Sequence, residues 1–422
     1  MRKATLSPQS AEIVAATAGV VAEHAVEITK TFYPNMFAAH PELMRVFNKA
    51  NQAVGEQPVA LASSVVAYAV QLIDPDAPDF TPVMERIAHK HVSLGIRATE
   101  YTIVGHYLLE AVGTVLGDAV TPEVAAAWDE VYWLFGTQLI AEEARMYALA
   151  GVDPDEPWRK YEVIERTDET DEVFSLTIKP VEGDLPEHHT GQYVAVAVDL
   201  PNGERQPRQY TISSPKGADH FRLTIRRVEG VDGAPDGQVS TFLHENAQPG
   251  TILDVSTPSG DVVLEESDAP LVLASAGIGI TPMAAILADV AAHTPERRVM
   301  LLHADRSAAS HALAEEMAGT AEQLANASSR LWYEEADEKA TERGAAQGRI
   351  DLAEIDVPTD AQVFMCGPLP FMRAVRRTLM DKGVDARNIS YEVFGPDLWA
   401  QDPESGAEEH LDAQVEEAQQ GA

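Results

Sequence analysis

The sequence predicts a multidomain chain: an all-α module, then an antiparallel β-barrel, then an α/β doubly wound parallel sheet. Three observations predict it. Apolar residues recur at a helical period through residues 1–150, the period drops to two beyond a turn-rich joint at 151–157, and strands alternate with helices from about residue 266.

The chain has 422 residues, enough for two to three domains at roughly 150 residues each. Its 67 acidic residues against 31 basic ones leave a net charge of -36. A field of that sign repels nucleic acid and anionic membrane surfaces, so neither is expected as a partner. Cys366 is the only cysteine, which excludes an intrachain disulfide and suits a reducing, cytoplasmic compartment. No run of 18 apolar residues occurs, so no membrane span is expected. Small molecules are the expected partners, and the chain is expected to be a monomer.

The helical module begins at Ser7-Pro8, an N-cap followed by proline at the first helical position. Glu12, Glu23, His24 and Glu27 interrupt the alanine- and valine-rich run behind Met1-Arg2-Lys3, so this run is read as a helix and not as a signal peptide. Punctuation at Pro41, Gly55, Pro75, Pro78, Pro82 and Pro122 divides the rest into amphipathic helices of a bundle or globin-like fold. In the stretch 84–96, Met84, Ile87, His91 and Leu94 fall on one helical face, so His91 projects from an apolar stripe. Such a histidine is ordinarily a hydrogen-bonded core residue; the motifs around it favour a ligand.

Phe32-Tyr33, His40-Pro41-Glu42-Leu43 and Phe47-Asn48 follow one another within residues 29–52. This segment resembles the globin domain of bacterial flavohaemoglobins. The match continues through Gln57, Leu61, Lys90-His91 and Glu100-Tyr101-Thr102-Ile103-Val104-Gly105. The resemblance implies haem b, with His91 as proximal iron ligand and Tyr33 and Gln57 as donors to bound dioxygen. It also implies Leu61 packed beside them and Phe47 stacked on the porphyrin. Behind His91 it implies Tyr101 and Glu143, with Glu142 as the alternative, taking up the other ring nitrogen. An anionic acceptor there makes the imidazole a stronger electron donor, as oxygen activation requires.

The joint Gly151-Val152-Asp153-Pro154-Asp155-Glu156-Pro157 stops the helical pattern. In the barrel predicted over 158–265, Phe174, Leu176 and Ile178 alternate with Ser175, Thr177 and Lys179, and Phe221, Leu223 and Ile225 with Arg222, Thr224 and Arg226. Gly191-Gln192-Tyr193 precedes Arg208-Gln209-Tyr210-Thr211, and Gly237-Gln238-Val239-Ser240 follows as a phosphate-contacting turn. Together they resemble ferredoxin-reductase-type flavoproteins and imply FAD. Arg208 would grip pyrophosphate, Tyr193 and Tyr210 would lie against the flavin, and Thr211 would reach its edge. The loop 229–237 is longer than usual and leaves the adenine end open.

The third module is predicted over 266–400, with strands at 271–276, 298–304, 330–334 and 362–366 and helices at 282–293, near 311–325 and at 369–382. Its first turn, Gly277-Ile278-Gly279-Ile280-Thr281-Pro282, lets the backbone approach a pyrophosphate, with Thr281 capping and Pro282 in the first helical turn. This form resembles the ferredoxin-reductase superfamily. Cys366-Gly367-Pro368 would flank the nicotinamide, with Cys366 a small wall and not a nucleophile. Tyr391-Glu392-Val393-Phe394-Gly395-Pro396 resembles the closing strand whose aromatic residue covers the flavin, and Glu392 and Lys90 would tune the two redox centres. Asp305-Arg306-Ser307 ends the second strand, where an acid suits a free ribose hydroxyl and an arginine a 2′-phosphate, so NADH and NADPH both stand. The tail 401–422, with seven acids and no Lys or Arg, is expected to be disordered.

The resemblance implies a nitric oxide dioxygenase that turns nitric oxide and dioxygen into nitrate, using NADH or NADPH through FAD and haem. The alternatives are an NAD(P)H oxidase or peroxide reductase on the same wiring, and a haem-based gas sensor.

Overall fold

The computed structural model describes residues 5–47, 56–77, 79–230, 236–342 and 344–394. They fall into two compact units that meet in sequence between Pro157 and Trp158.

The first unit is helical: α1 (Pro8–Glu23), α2 (Ala25–Ala39), a 3-10 segment (Pro41–Val46), α3 (Glu56–Ile73), α4 (Thr81–Leu94), α5 (Glu100–Leu116) and α6 (Pro122–Ala150). Local chemistry sets the boundaries. Ser7 caps α1 by accepting from the Ser10 N–H, Thr121 caps α6 by accepting from the Val124 N–H, and both helices carry proline in the first turn. Gly95 and Gly151 end α4 and α6 at φ 70° and 64°, in left-handed backbone that favours glycine. Phe32, Met36, Tyr68, Trp128, Val131 and Leu139 lie in the shared core.

Met84, Ala88 and Val92, spaced four apart, are the buried row and pack against α6, while Ile87, His91 and Leu94 are half-buried beside it.

The second unit opens with β1 (Arg159–Asp168), β2 (Val173–Pro180), β3 (Tyr193–Asp199), β4 (Arg205–Thr211), β5 (Phe221–Arg226), α7 (Gln238–Asn246) and β6 (Ile252–Val255). The strands pair antiparallel in the order β4-β3-β6-β1-β2-β5, and a bridge between Ile212 and Leu223 joins the two edges into a barrel. Phe174, Leu176, Ile178, Leu223 and Ile225 fill it, as their alternation predicts.

The unit continues through β7 (Leu271–Ala276), α8 (Ile280–His293), β8 (Val299–Asp305), α9 (Ala314–Ala321), β9 (Ala327–Tyr333), α10 (Glu338–Glu342), β10 (Ala346–Gln347), β11 (Gln362–Cys366), α11 (Leu369–Asp381) and β12 (Ile389–Glu392). All six strands run parallel in the order β10-β9-β8-β7-β11-β12. The order reverses between β7 and β11, which opens a crevice at their carboxyl ends. The helix expected near 311–325 is shorter, entered through Leu313 at φ 58°. The closing strand stops at Glu392, before the aromatic residue that was to end it.

Candidate functional site

The first site is built on α4, α5 and α6. His91 Nδ1 lies 2.8 Å from the Tyr101 hydroxyl and 2.8 Å from Glu143 Oε1, and the Tyr101 hydroxyl donates to that same carboxylate oxygen at 2.5 Å. Burial, and then the charge of Glu143, push the Tyr101 phenol far above its ordinary pKa, so it keeps its proton and spends it on the carboxylate. The imidazole therefore donates from Nδ1, and Nε2 carries the lone pair. Glu143 is buried, whereas Glu142 forms an ion pair with Arg145, which decides between the two acids. Tyr132 donates to the Tyr101 carbonyl at 2.5 Å, and Tyr147 to that of Val92 at 3.1 Å. A Cβ at residue 105 would stand 2.3 Å from the Tyr132 ring, so glycine there makes room for this brace.

Tyr33 is buried on α2, with Phe47 edge-on at 5.7 Å between ring centroids. Leu61, on α3, packs against the same core. Gln57 belongs to α3, but its side chain lies outside the described residues. Lys90 is half-buried on α4.

The second site lies along β3 and β4. Tyr193 pairs with Thr211, Val194 with Tyr210, Ala195 with Gln209 and Val196 with Arg208, so Arg208 and Tyr210 share one face. Arg208 is half-buried and burial lowers its pKa; it donates to the Pro207 carbonyl at 2.6 Å and to Gln206 at 3.2 Å. The Thr211 hydroxyl is buried with no hydrogen-bond partner, a placement that suits a group accepting or donating there. The segment 237–240 is the start of α7, not a free turn: Gly237 is its N-cap, and Gln238 its first residue. Val239 is buried in the barrel core, and the Ser240 hydroxyl holds the Val228 N–H at 3.1 Å. Backbone N–H groups of the first helical turn are thus what this segment offers an anion. Residues 231–235 of the long loop lie outside the described residues.

The third site is the crevice between β7 and β11. Gly277 sits at φ 53°, and a Cβ at Gly279 would meet the Cys366 carbonyl oxygen at 2.2 Å, so the two loops touch through backbone. Gly277–Gly279 forms a 3-10 turn leading directly into α8, with Ile278 half-buried beside its core and Ile280 buried as the first helical residue. Thr281 does not cap: the helix has already begun, and its hydroxyl donates back to the Ile278 carbonyl at 3.2 Å. Pro282 occupies the first turn, as expected. Burial, and then the charge of Glu392, raise the Cys366 thiol well above its ordinary pKa, which suits a wall and not a nucleophile. Gly367 packs against Ala276 and Phe371, and Pro368 is the N-cap of α11. Glu392 pairs with Cys366 across β12 and β11, Val393 is half-buried and Phe394 is exposed. Gly395, Pro396 and the tail 401–422 lie outside the described residues.

Family profiles match the chain in the same order. The globin profile covers residues 30–139, the oxidoreductase FAD-binding domain 172–264 and the oxidoreductase NAD-binding domain 273–377. A flavohemoprotein of Bordetella parapertussis is 40% identical over 402 residues, spanning 92% of this chain and 98% of that one. One from Bacillus subtilis is 36% identical over 403 residues, spanning 93% and 98%. The chain belongs to the flavohemoprotein family. A flavohemoglobin structure from Malassezia yamatoensis with bound FAD and heme superposes with TM-score 0.83 at 34% identity, over 93% of this chain and 100% of that one. An FAD/NAD-binding domain of a nitric oxide dioxygenase from Vibrio cholerae matches with TM-score 0.53 at 34% identity, over 56% and 99%.

As a flavohemoprotein the chain is an NAD(P)H-dependent oxidoreductase of haem, FAD and a nicotinamide nucleotide. The residues fit these groups: a lone-pair nitrogen on His91, an unpartnered hydroxyl on Thr211, and a glycine turn that tolerates no side chain at 279. Among the described residues no three His, Cys, Asp or Glu side chains are grouped so as to hold a metal ion. No described helix of the flavohemoprotein is long and apolar enough to cross a membrane.

Three features escaped the sequence reading. Arg226, on the barrel, is exposed with its Nη1 3.8 Å from where a Cβ of Gly277 would be, a cation beside the glycine turn. Its position in the alternating strand β5 was the only signal. His303 and His311 stack at 4.1 Å, bonded through Nδ1 to Ser275 and Tyr333 at 2.8 Å each. Asp305 turns inward, accepting from Ser310 Oγ at 2.6 Å and the Arg306 N–H at 2.7 Å, so it is not the free ribose acceptor that its place at the end of β8 suggests. The Ser310 hydroxyl that captures it is five residues away in a loop whose path no periodicity specifies.

Proposed function

We propose that this flavohemoprotein is a nitric oxide dioxygenase, consuming nitric oxide and dioxygen to give nitrate at the expense of NADH or NADPH, and that it works in the cytoplasm. The carboxylate of Glu143 on His91 Nδ1 is the observation that carries the reading. It sets negative charge against the imidazole, and an electron-rich imidazole would favour oxygen chemistry over reversible storage once haem is bound. The likeness to the Vibrio cholerae nitric oxide dioxygenase domain supports it.

When bound, haem supplies the iron where the gases react, and FAD splits the electron pair of a hydride into single electrons. His91 would hold the iron through Nε2, its ring kept oriented by Tyr101 and Glu143. Tyr33 would offer its hydroxyl on the gas side, the role the resemblance also gives Gln57, while Leu61 would restrict entry and Phe47 would support the porphyrin. Arg208 and the first turn of α7 would hold the FAD pyrophosphate, Tyr193, Gln209 and Tyr210 would lie along the flavin, and Thr211 would bond its edge. Gly277–Gly279, the N-terminus of α8 and Arg226 take the nucleotide's pyrophosphate, and Cys366-Gly367-Pro368 borders the nicotinamide. Val393 and Phe394 would border the flavin, and the resemblance extends this segment to Gly395 and Pro396, while Lys90 and Glu392 would tune the two redox centres by charge.

Aerobic nitric oxide uptake by the purified protein with NADH tests this. Uptake abolished by His91→Ala is expected; uptake equal to that of the haem-free protein would overturn it.

A further inference from the structure

Arg306 follows β8, where the second strand of such a sheet brings the chain to the adenosine ribose and where an arginine accommodates a 2′-phosphate. The nucleotide domain does not leave this guanidinium to the ligand. Its Nη2 lies 2.8 and 2.7 Å from the two carboxylate oxygens of Glu172, which comes from the turn before β2 and thus from the barrel. Asp305 and Glu335 add negative charge around the same guanidinium. Glu172 is fixed from its own side, since its N–H donates to Thr170 Oγ1 at 3.3 Å and its carbonyl accepts from the Arg227 N–H at 2.8 Å. A second ion pair between the same two domains, Arg222 forked onto Glu316 at 2.5 and 2.8 Å, holds them at this spacing.

The geometry points to Glu172, a residue of the flavin barrel, as a specificity-determining residue for the nicotinamide nucleotide: by occupying Arg306 it denies that cation to a 2′-phosphate. With Asp305 turned inward, discrimination at this corner rests on a carboxylate outside the nucleotide domain. A nucleotide with a free 2′-hydroxyl leaves the Arg306–Glu172 pair intact. One with a 2′-phosphate has to break the pair and then meet the carboxylate it displaced, so like charges face each other. The pair is half-exposed, with side-chain exposures of 59% for Arg306 and 33% for Glu172. Solvent therefore screens it, and its effect is moderate, about fivefold in relative affinity.

This inference rests on the nucleotide site proposed above and not on the gas chemistry, so its test is run without oxygen or nitric oxide. Anaerobic flavin reduction by NADH and by NADPH is measured for the holoprotein and for Glu172→Gln, which keeps the side-chain shape and removes the charge. Binding of adenosine 2′,5′-bisphosphate and of 5′-AMP is measured by calorimetry on the same samples. Expected is a NADH-to-NADPH ratio of kcat/KM about fivefold smaller in Glu172→Gln, with tighter binding of the bisphosphate alone. The gain should vanish when Arg306→Ala is added. An unchanged ratio and unchanged bisphosphate binding in Glu172→Gln overturn the role of Glu172. If Arg306→Ala by itself weakens bisphosphate binding in that case, the nucleotide site stands; if neither variant alters it, the site falls as well.

Discussion

The Tyr101 hydroxyl and His91 Nδ1 meet the same oxygen atom of Glu143, at 2.5 and 2.8 Å. Three side chains from three helices thus share one carboxylate charge, and the imidazole receives it in a single orientation. Replacing that charge without changing the shape isolates its effect. In Glu143→Gln, haem should be retained, the ferrous iron–histidine stretching frequency should fall, and nitric oxide turnover should drop by about tenfold. Resonance Raman spectra with an unshifted iron–histidine band would remove the electronic role assigned to Glu143.

Tyr33 is the buried phenol proposed to donate to bound dioxygen. A hydrogen bond to a partly charged acceptor contributes about 1.5–3 kcal/mol, so Tyr33→Phe should speed dioxygen dissociation by roughly 10- to 100-fold. Flash photolysis or stopped-flow measurement of that rate decides the matter, and a rate equal to wild type would dismiss the tyrosine.

Gly279 allows the turn after β7 to touch the turn after β11. Because a methyl group there would stand 2.2 Å from the Cys366 carbonyl oxygen, Gly279→Ala has to push backbone apart. A cost of about 1–3 kcal/mol and a raised KM for NADH are expected. Unaltered thermal stability together with unaltered KM would contradict the close approach.

Two buried histidines make the second unit sensitive to acid. Burial, and then His303, hold His311 down to about 3, and burial, and then Lys216, hold His188 down to about 4. Above the unfolded value of 6.5 both are neutral in either state. As pH falls below it, the unfolded chain takes up protons that the folded unit refuses. Stability is therefore lost toward pH 4 and then 3, by on the order of 1 kcal/mol per pH unit for each histidine. Urea midpoints between about pH 7.5 and about pH 5 should decline, and less steeply in His311→Gln; equal slopes in the two proteins would count against this account.

Much of this architecture was legible beforehand because it is local. Ser7-Pro8, Pro122 and Gly151 mark helix ends by backbone chemistry that does not depend on distant residues. Alternation in Phe174–Lys179 states which side chains enter the barrel, and the glycines at 277 and 279 state where backbone must come close. The misreadings share a cause. Thr281 lost its capping role to the 3-10 turn before it, and the helix expected near 311–325 begins only after Leu313 turns left-handed. Each depends on a neighbour that propensity does not include.

By itself the chain determined the order of its modules, the residue types of each site and the candidate ligand His91, since period, turn chemistry and motif spacing are properties of consecutive residues. Only the tertiary structure decided which of two adjacent glutamates meets that histidine, where the Asp305 carboxylate turns, and that Glu172 reaches Arg306 across a domain boundary. These are contacts between residues 52, 5 and 134 positions apart. Partner choice at such range is set by how helices and strands pack, and packing is a property of the whole folded unit.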